Sequence, residues 1–289
     1  MDTVGIIGAG QMGAGIAQVA AASGYAVVLA DRDLAIAEKA RDGIGKRLAR
    51  LVEKGQLEAA AADAALGRIR PSADYAPMVE AGLIVEAATE REEIKRTIFE
   101  AAGKVLGAQA ILASNTSSIP ITRMAAGTAD PARFIGLHFF NPVPLMALVE
   151  IIPGLATSAE TLARVRTFAE SLGKQVVVSE DESGFIVNRV LLPMINEAVF
   201  LLGSGTAGIA DIDKGCRLGL NHPMGPLQLA DFIGLDTCPE IMRVIFEGTG
   251  DSKYRPAPLL TRYVEAGWLG RKAGKGFYDY AGEEPVPTR

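Results

Sequence analysis

The sequence has few residues of the kinds that support several common functions. Its two cysteines, Cys216 and Cys238, form no CxxC motif and have no spacing with histidine that would hold a metal ion. It contains no apolar run long enough to cross a membrane. The net charge of −5 provides no basic surface for nucleic acid or for an anionic membrane. These absences argue against a metal-dependent, nucleic-acid-binding or membrane protein.

The length and composition of the chain indicate two globular domains. With 289 residues, of which 49% are hydrophobic and 22% charged, it has enough apolar material for two cores. The first predicted strand begins at Val4 with no secretory signal before it, so we expect a cytoplasmic protein with reduced cysteines. A change of pattern near Ser183 predicts a boundary between domains 1–182 and 183–289.

The most informative motif is the glycine-rich run from Val4 to Gly13, in which a strand is followed by a turn and a helix. Gly8 permits the tight turn, and Gly10 lets the backbone approach a pyrophosphate. Gly13 lets the helix pack closely against the strand. This order of elements predicts a dinucleotide-binding site at the start of the chain.

The residues around this turn indicate which dinucleotide binds. Gln11 and Met12 begin the helix, whose N-terminus attracts phosphate groups. Asp31 ends the next apolar run, where its carboxylate can accept hydrogen bonds from a ribose diol and would repel a 2′-phosphate. Arg32 follows directly and could hold that phosphate, so NADP stays open as an alternative. We expect NAD as the cofactor.

Strands and helices alternate before Ser183, and only helices are predicted after it. Further strands are predicted at 25–30, 69–70, 83–88, 110–114, 134–139, 147–152 and 174–178, and helices at 34–54, 91–105 and 159–172. The later helices are predicted at 185–202, 209–218, 226–246 and 258–266. We therefore expect an α/β fold: an N-terminal Rossmann-type, doubly wound sheet, in which the edge strands can be mixed, and an all-helical C-terminal domain that dimerises.

The chain has two histidines, His138 and His222, and a general base working near neutral pH is most easily one of them. His138 ends a predicted strand, at the edge where open α/β sheets bind ligands. Glu150, inside an apolar run on the next strand, is its natural partner, because a glutamate among aliphatic residues is costly unless paired. The alternative is that Glu150 lies on an exposed strand edge and that His138 is a core histidine with satisfied hydrogen bonds.

Two further polar groups lie near the same predicted sheet edge. The loop Ser114–Ser118 supplies hydroxyls and an amide, although its residues are also typical of a helix cap before Ile119 and Pro120. Asn188, in the long apolar helix, could direct its amide towards the cleft or could serve in helix packing. Both alternatives stay open from the residues alone.

Four motifs together resemble the L-3-hydroxyacyl-CoA dehydrogenase family, in particular its short bacterial members that act on 3-hydroxybutyryl-CoA. They are Gly8–Gly13, Ser114–Ser118, His138–Pro142 and Asp181–Arg189, and the resemblance covers essentially the whole chain. It implies an NAD-dependent enzyme that oxidises (S)-3-hydroxyacyl-CoA to 3-oxoacyl-CoA and catalyses the reverse reduction. An acyl-CoA substrate and a homodimer are the expected partners.

The resemblance also implies roles for individual residues. His138 is the catalytic base, and Glu150 orients it. Ser117 and Asn188 hydrogen-bond the reacting oxygen of the substrate, and Asn141 completes the site. Ser117 and Asn141 also contact the cofactor. Because Asn188 belongs to the second domain, catalysis is expected to require the domains to close over the substrate.

Five residues outside these motifs match other positions of the family. Glu90 and Lys95 match positions near the nicotinamide half of the cofactor, and Lys272 matches a C-terminal lysine that also reaches it. Arg50 and Lys54 match positions that meet the phosphates of coenzyme A, although an arginine at the first is an approximate match.

Two other functions stay open at this point. One is a related dehydrogenase of a hydroxy acid or sugar acid without CoA, such as the gulonate dehydrogenases. The other is a cofactor-binding protein that has lost turnover. Dehydrogenases of β-hydroxy acids that use a catalytic lysine fit less well, because His138 and Glu150 supply a different base.

Overall fold

The structure is a computed structural model that describes residues 2–289. The chain divides into two compact units, one ending at Glu182 and the other spanning Ser183–Arg289. Among the helices described, none is both long and apolar enough to span a membrane.

The first unit is built on a sheet of eight strands, which were predicted in outline. They are β1 (Thr3–Ile7), β2 (Ala26–Ala30), β3 (Ile69–Ser72), β4 (Leu83–Glu86), β5 (Ile111–Ser114), β6 (Phe134–Phe139), β7 (Leu148–Pro153) and β8 (Gln175–Val178). Their order in the sheet is β3-β2-β1-β4-β5-β6-β7-β8. The six strands from β3 to β6 are parallel, β7 is antiparallel to β6, and β8 is parallel to β7. The predicted Rossmann-type sheet with a mixed edge is confirmed.

Helices pack against this sheet, which explains why its central strands are mainly apolar and buried. They are α1 (Gln11–Ala22), α2 (Leu34–Glu53), α3 (Ala59–Gly67), α4 (Glu92–Gly103), α5 (Ile121–Ala125) and α6 (Ala159–Ser171). Every residue of β4, β5 and β6 is buried, as expected of strands with both faces covered. Helix α3 was not predicted from the sequence, because its many alanines favour a helix but give no contrast between an apolar and a polar face.

The second unit is helical, as predicted, and also carries a small two-stranded ladder. It contains α7 (Val187–Gly203), α8 (Ile209–Gly219), α9 (Pro226–Ile233), α10 (Thr237–Thr249), α11 (Pro258–Glu265) and the antiparallel strands β9 (Tyr278–Asp279) and β10 (Val286–Pro287). The prediction of a single helix at 226–246 is wrong, because two helices, α9 and α10, occupy this part of the chain. Gly234, with φ of 109°, ends α9 and lets the chain turn before α10 begins.

Two buried carboxylates connect the helices of this unit to its C-terminal segment. Asp213 accepts the N–H groups of residues 227 and 228 at the start of α9 and the hydroxyl of Tyr278. Asp231 accepts the N–H groups of residues 277 and 278 and the hydroxyl of Tyr280. Burial raises the pKa of Asp231 to about 6, although these hydrogen bonds oppose the shift.

Candidate active site

The polar groups singled out in the first unit follow the strands of the sheet at one edge. The carboxyl ends of β1, β4, β5 and β6 carry, in turn, the glycine-rich turn, Glu86, the loop 115–118 and His138. Parallel strands end at the same edge, which is where open α/β sheets bind ligands.

The glycine-rich turn has the shape that a dinucleotide needs. Gly8 has φ of 99°, and a Cβ there would lie 2.5 Å from the Cα of Ala88. A Cβ on Gly13 would lie 1.8 Å from the carbonyl oxygen of Gly8. A Cβ on Gly10, in contrast, would meet no atom within 4 Å, and no side chain caps the N-terminus of α1. The space at Gly10 and the uncapped helix N-terminus therefore fit a pyrophosphate.

Asp31, directly after β2, stabilises this turn. Its Oδ2 accepts the Ala9 N–H at 2.7 Å, and its Oδ1 accepts the Arg32 N–H at 2.8 Å. Each carboxylate oxygen has a further lone pair, so both can still accept a hydrogen bond from a ribose diol. The two acceptor oxygens at this position fit the ribose diol of NAD.

His138 and Glu150 form a buried pair across two strands. They are direct partners in the antiparallel register of β6 and β7, and the distance from His138 Nδ1 to Glu150 Oε2 is 2.7 Å. Glu150 is fully buried on a strand that lies between β6 and β8, so the alternative of an exposed strand edge is wrong. A carboxylate that accepts the proton of Nδ1 makes Nε2 the basic nitrogen of the ring. This pair can accept and release a proton at Nε2.

Glu90 organises the loop after β5. Its Oε1 accepts hydrogen bonds from the hydroxyl of Thr116 at 2.7 Å and from the hydroxyl of Ser118 at 3.0 Å. The same oxygen accepts from the Ser117 N–H at 2.9 Å and from the Ser117 hydroxyl at 3.0 Å. Glu90 therefore fixes both the backbone and the side chain of Ser117.

This loop does not cap the helix that follows it. The N–H groups of Ile121 and Thr122, at the start of α5, donate instead to the two carboxylate oxygens of Asp181, each at 2.7 Å. The loop is tied to the neighbouring strand, because the Asn115 Oδ1 accepts the Phe139 N–H at 2.9 Å. The capping role of Asp181 was not predicted from the sequence, because this residue is distant from α5 along the chain.

Behind the loop lies a buried ion pair that the sequence analysis found only in part. Lys95 is 1% exposed, and its Nζ lies 2.5 Å from Glu86 Oε2, 3.2 Å from Ser114 Oγ and 3.9 Å from Glu90 Oε2. Glu86, fully buried at the end of β4, also accepts the Ala88 N–H at 2.9 Å. Its signal was available in the sequence: a carboxylate at the end of an apolar strand requires a partner, as it does for Glu150.

Asn141 contacts the start of the dinucleotide-binding helix. Its Oδ1 accepts a hydrogen bond from Gln11 Nε2 at 2.9 Å. The peptide bond between Asn141 and Pro142 is cis. The ring of Phe140 lies 4.6 Å from the ring of His138. The loop after β6 therefore contacts both the histidine and the glycine-rich turn.

The remaining predicted residues belong to α2 or to the second unit. Arg50 and Lys54 are exposed at the C-terminal end of α2. Asn188 lies half-buried in the first turn of α7, within the second unit. Lys272, also in the second unit, has its Nζ 2.7 Å from Asp236 Oδ2, a partner that the sequence analysis did not foresee.

Comparison with known proteins gives matches over nearly the whole chain. The model of the 3-hydroxyacyl-CoA dehydrogenase NAD binding domain matches residues 3–182, and the model of the 3-hydroxyacyl-CoA dehydrogenase C-terminal domain matches residues 184–280. A 3-hydroxybutyryl-CoA dehydrogenase of Bradyrhizobium diazoefficiens is 55% identical over 286 residues, which cover 99% of this chain and 98% of that protein. A probable 3-hydroxybutyryl-CoA dehydrogenase of Deinococcus radiodurans is 52% identical over 276 residues, or 96% and 99% of the two chains. The crystal structure of an (S)-3-hydroxybutyryl-CoA dehydrogenase from Ralstonia eutropha superposes with a TM-score of 0.95 at 48% sequence identity. The alignment covers 98% of this chain and 100% of that chain.

Proposed function

The chain belongs to the 3-hydroxyacyl-CoA dehydrogenase family, and from that membership we propose that it interconverts (S)-3-hydroxybutyryl-CoA and acetoacetyl-CoA. It is an NAD-dependent oxidoreductase. The observation that carries the proposal is the buried pair of His138 and Glu150, which supplies a base at the sheet edge that also bears the dinucleotide turn. An alcohol oxidation by hydride transfer needs both features together.

NAD is held mainly by the first unit in this proposal. When bound, the nicotinamide would supply the hydride chemistry at C3 of the substrate, in either direction. The glycine-rich turn binds the pyrophosphate, and Asp31 binds the adenosine ribose. Residues proposed to act nearer the nicotinamide are Glu90, Lys95, Ser117, Asn141 and, from the second unit, Lys272.

His138 moves the proton of the reaction. In oxidation its Nε2 takes the proton of the C3 hydroxyl, and in reduction it gives that proton back. Glu150 stabilises the imidazolium that forms and keeps the ring in one orientation. Because Glu150 is fully buried, water screens this interaction little.

Ser117 and Asn188 position the C3 oxygen in this proposal. Four hydrogen bonds to Glu90 Oε1, two of them from Ser117, support the placement of the serine. Small displacements of a reacting oxygen reduce the rate strongly, so a fixed serine is of value here. The contribution of Asn188 would require the second unit to close over the substrate, as domains of many enzymes do.

Arg50 and Lys54 are proposed to bind the phosphates of coenzyme A. Both side chains are exposed near the end of one helix on a protein of net charge −5. An anionic substrate of such a protein needs a local group of cations. This requirement supports a CoA thioester as the substrate, with a short acyl chain as in the named relatives.

A homodimer is proposed from the second unit. This unit exposes several large apolar side chains, and monomers usually expose few of these in one patch. Sedimentation at micromolar concentration is expected to give twice the mass of one chain, and a monomer would contradict this part of the proposal. The exposed side chains include Val190, Leu218, Leu220, Phe232 and Phe246.

The test of the proposed function is NADH oxidation by the purified protein with acetoacetyl-CoA and, separately, with free acetoacetate. We expect rapid turnover of the thioester only. His138→Ala should reduce turnover by several orders of magnitude, while the matched variant at the other histidine, His222→Ala, should retain it. Equal turnover of free acetoacetate would indicate a dehydrogenase that does not require CoA. NADH binding without any turnover would contradict the proposal.

A further inference from the structure

We propose that Lys174 is a positioning residue whose ammonium group holds the loop 140–147 so that Asn141 stays in contact with the dinucleotide turn. The inference rests on the proposed function, because it takes Asn141 as part of the cofactor site. Lys174 lies outside the four family motifs of the chain.

Lys174 is a buried cation that binds backbone carbonyls in place of a carboxylate. It is 8% exposed, and its Nζ donates to the carbonyl oxygens of Val143 at 2.6 Å and Met146 at 2.7 Å. It forms no salt bridge among residues 2–289. Burial lowers the pKa of this lysine. A buried charge is costly unless it is well hydrogen-bonded, so these two bonds are strong contacts of the loop.

The backbone of the loop is folded so that these carbonyls meet the lysine. The carbonyl of Pro142 accepts the N–H groups of Leu145 and Met146, which closes a turn. The next attachment is the Gln175 N–H, which donates to the carbonyl of Ala147. Lys174 and Gln175 thus hold the loop at three carbonyl groups, those of residues 143, 146 and 147. Without the ammonium group, the turn at 142–146 loses its connection to the start of β8.

A change in this turn would be transmitted to the cofactor side. Val143 is 2% exposed and packs against α1, where a Cβ added to Gly15 would lie 2.9 Å from the Val143 Cβ. Asn141, two residues earlier, accepts the hydrogen bond from Gln11. We therefore expect a movement of the loop at Val143 to alter the contact between Asn141 and Gln11. Lys174 acts on the cofactor site through this loop and touches no reacting atom.

The experiment measures NADH binding by fluorescence in the absence of a CoA substrate. Lys174→Met keeps the apolar part of the side chain as far as the ε position and removes the ammonium donors, and we expect a roughly tenfold higher Kd for NADH. Lys104→Met, at an exposed lysine after α4, is the matched control and should bind NADH as the wild type does. Lys174→Arg keeps a cation with several donors and should retain most of the binding.

A double-mutant cycle with Asn141→Ala separates positioning from simple stability. In the Asn141→Ala background we expect Lys174→Met to change the Kd for NADH less than twofold, because the group that it positions is already absent. A fully multiplicative effect, or wild-type NADH binding by folded Lys174→Met with only a lower Tm, would overturn the proposal.

A milder variant covers the case in which Lys174→Met does not fold. Lys174→Gln keeps a donor amide on a side chain that is too short to reach both carbonyls. Weaker NADH binding by this variant supports the proposal, and unchanged binding overturns it. Since no CoA thioester is present, failure of the proposed function with acetoacetyl-CoA would not alter these outcomes.

Discussion

Glu150→Gln is the change that tests the proposed proton transfer most directly. Glutamine has nearly the same shape, and its carbonyl oxygen can still accept the proton of His138 Nδ1, but the negative charge is lost. The 2.7 Å distance between Nδ1 and Oε2 places the two charge centres about 4 Å apart. At an effective dielectric constant of about 20, their attraction is about 4 kcal/mol. Because about 1.4 kcal/mol corresponds to a factor of ten in rate, kcat should fall about a thousandfold.

The assay follows NAD reduction at saturating NAD and (S)-3-hydroxybutyryl-CoA, the direction in which the imidazolium forms, with NADH binding and Tm measured on the same preparation. NADH binding should be unchanged, since Glu150 lies on β7, away from the glycine-rich turn between β1 and α1. Glu160→Gln, at an exposed carboxylate on α6, is the matched control and should retain full activity. A loss of less than tenfold in Glu150→Gln would show that the imidazolium does not depend on this charge, and would refute the reasoning.

Three further predictions concern the cofactor, the substrate and the stability of the second unit. Asp31→Ala should raise the KM for NADH at least tenfold and reduce the preference for NADH over NADPH. The variant lacks both the acceptor for the ribose diol and the hydrogen bond to the Ala9 N–H, and steady-state kinetics with both cofactors would measure the effect. Replacing Arg50 and Lys54 together by alanine should raise the KM for acetoacetyl-CoA about tenfold with little change in kcat. The difference in KM between variant and wild type should become smaller in high salt, which initial rates at two ionic strengths would measure. The pKa of Asp231, raised by burial to about 6 from an ordinary 3.8, means that the folded protein binds a proton more tightly than the unfolded chain does. The free energy of unfolding should therefore fall as the pH rises from about 4 to about 7, and Asp231→Asn should flatten that slope in urea titrations followed by Trp268 fluorescence.

The parts of the fold that were predictable are those determined by patterns of neighbouring residues. The apolar runs that became strands and the turn at Gly8 could be recognised because each depends on a few adjacent side chains. The prediction failed at 226–246, where an otherwise continuous apolar pattern is interrupted by Gly234. A glycine in such a pattern is compatible with a helix, and only the packing around it selects the positive φ. The alanine-rich α3 was missed for the related reason that its composition carries no periodic pattern.

Among the buried charges, predictability depended on whether the partner was rare. Glu150 could be paired with His138 because the chain has only two histidines and one of them ends the preceding strand. Glu86 has the same placement in an apolar strand, but lysines are numerous and nothing in the sequence selects Lys95 as its partner. Lys174 binds backbone carbonyls 28 and 31 residues away, and every residue of the chain has a carbonyl. A charged residue among apolar neighbours in the sequence can therefore be recognised as one that needs a partner. When that partner is a backbone carbonyl, it can be identified only from the three-dimensional arrangement of the strands and loops.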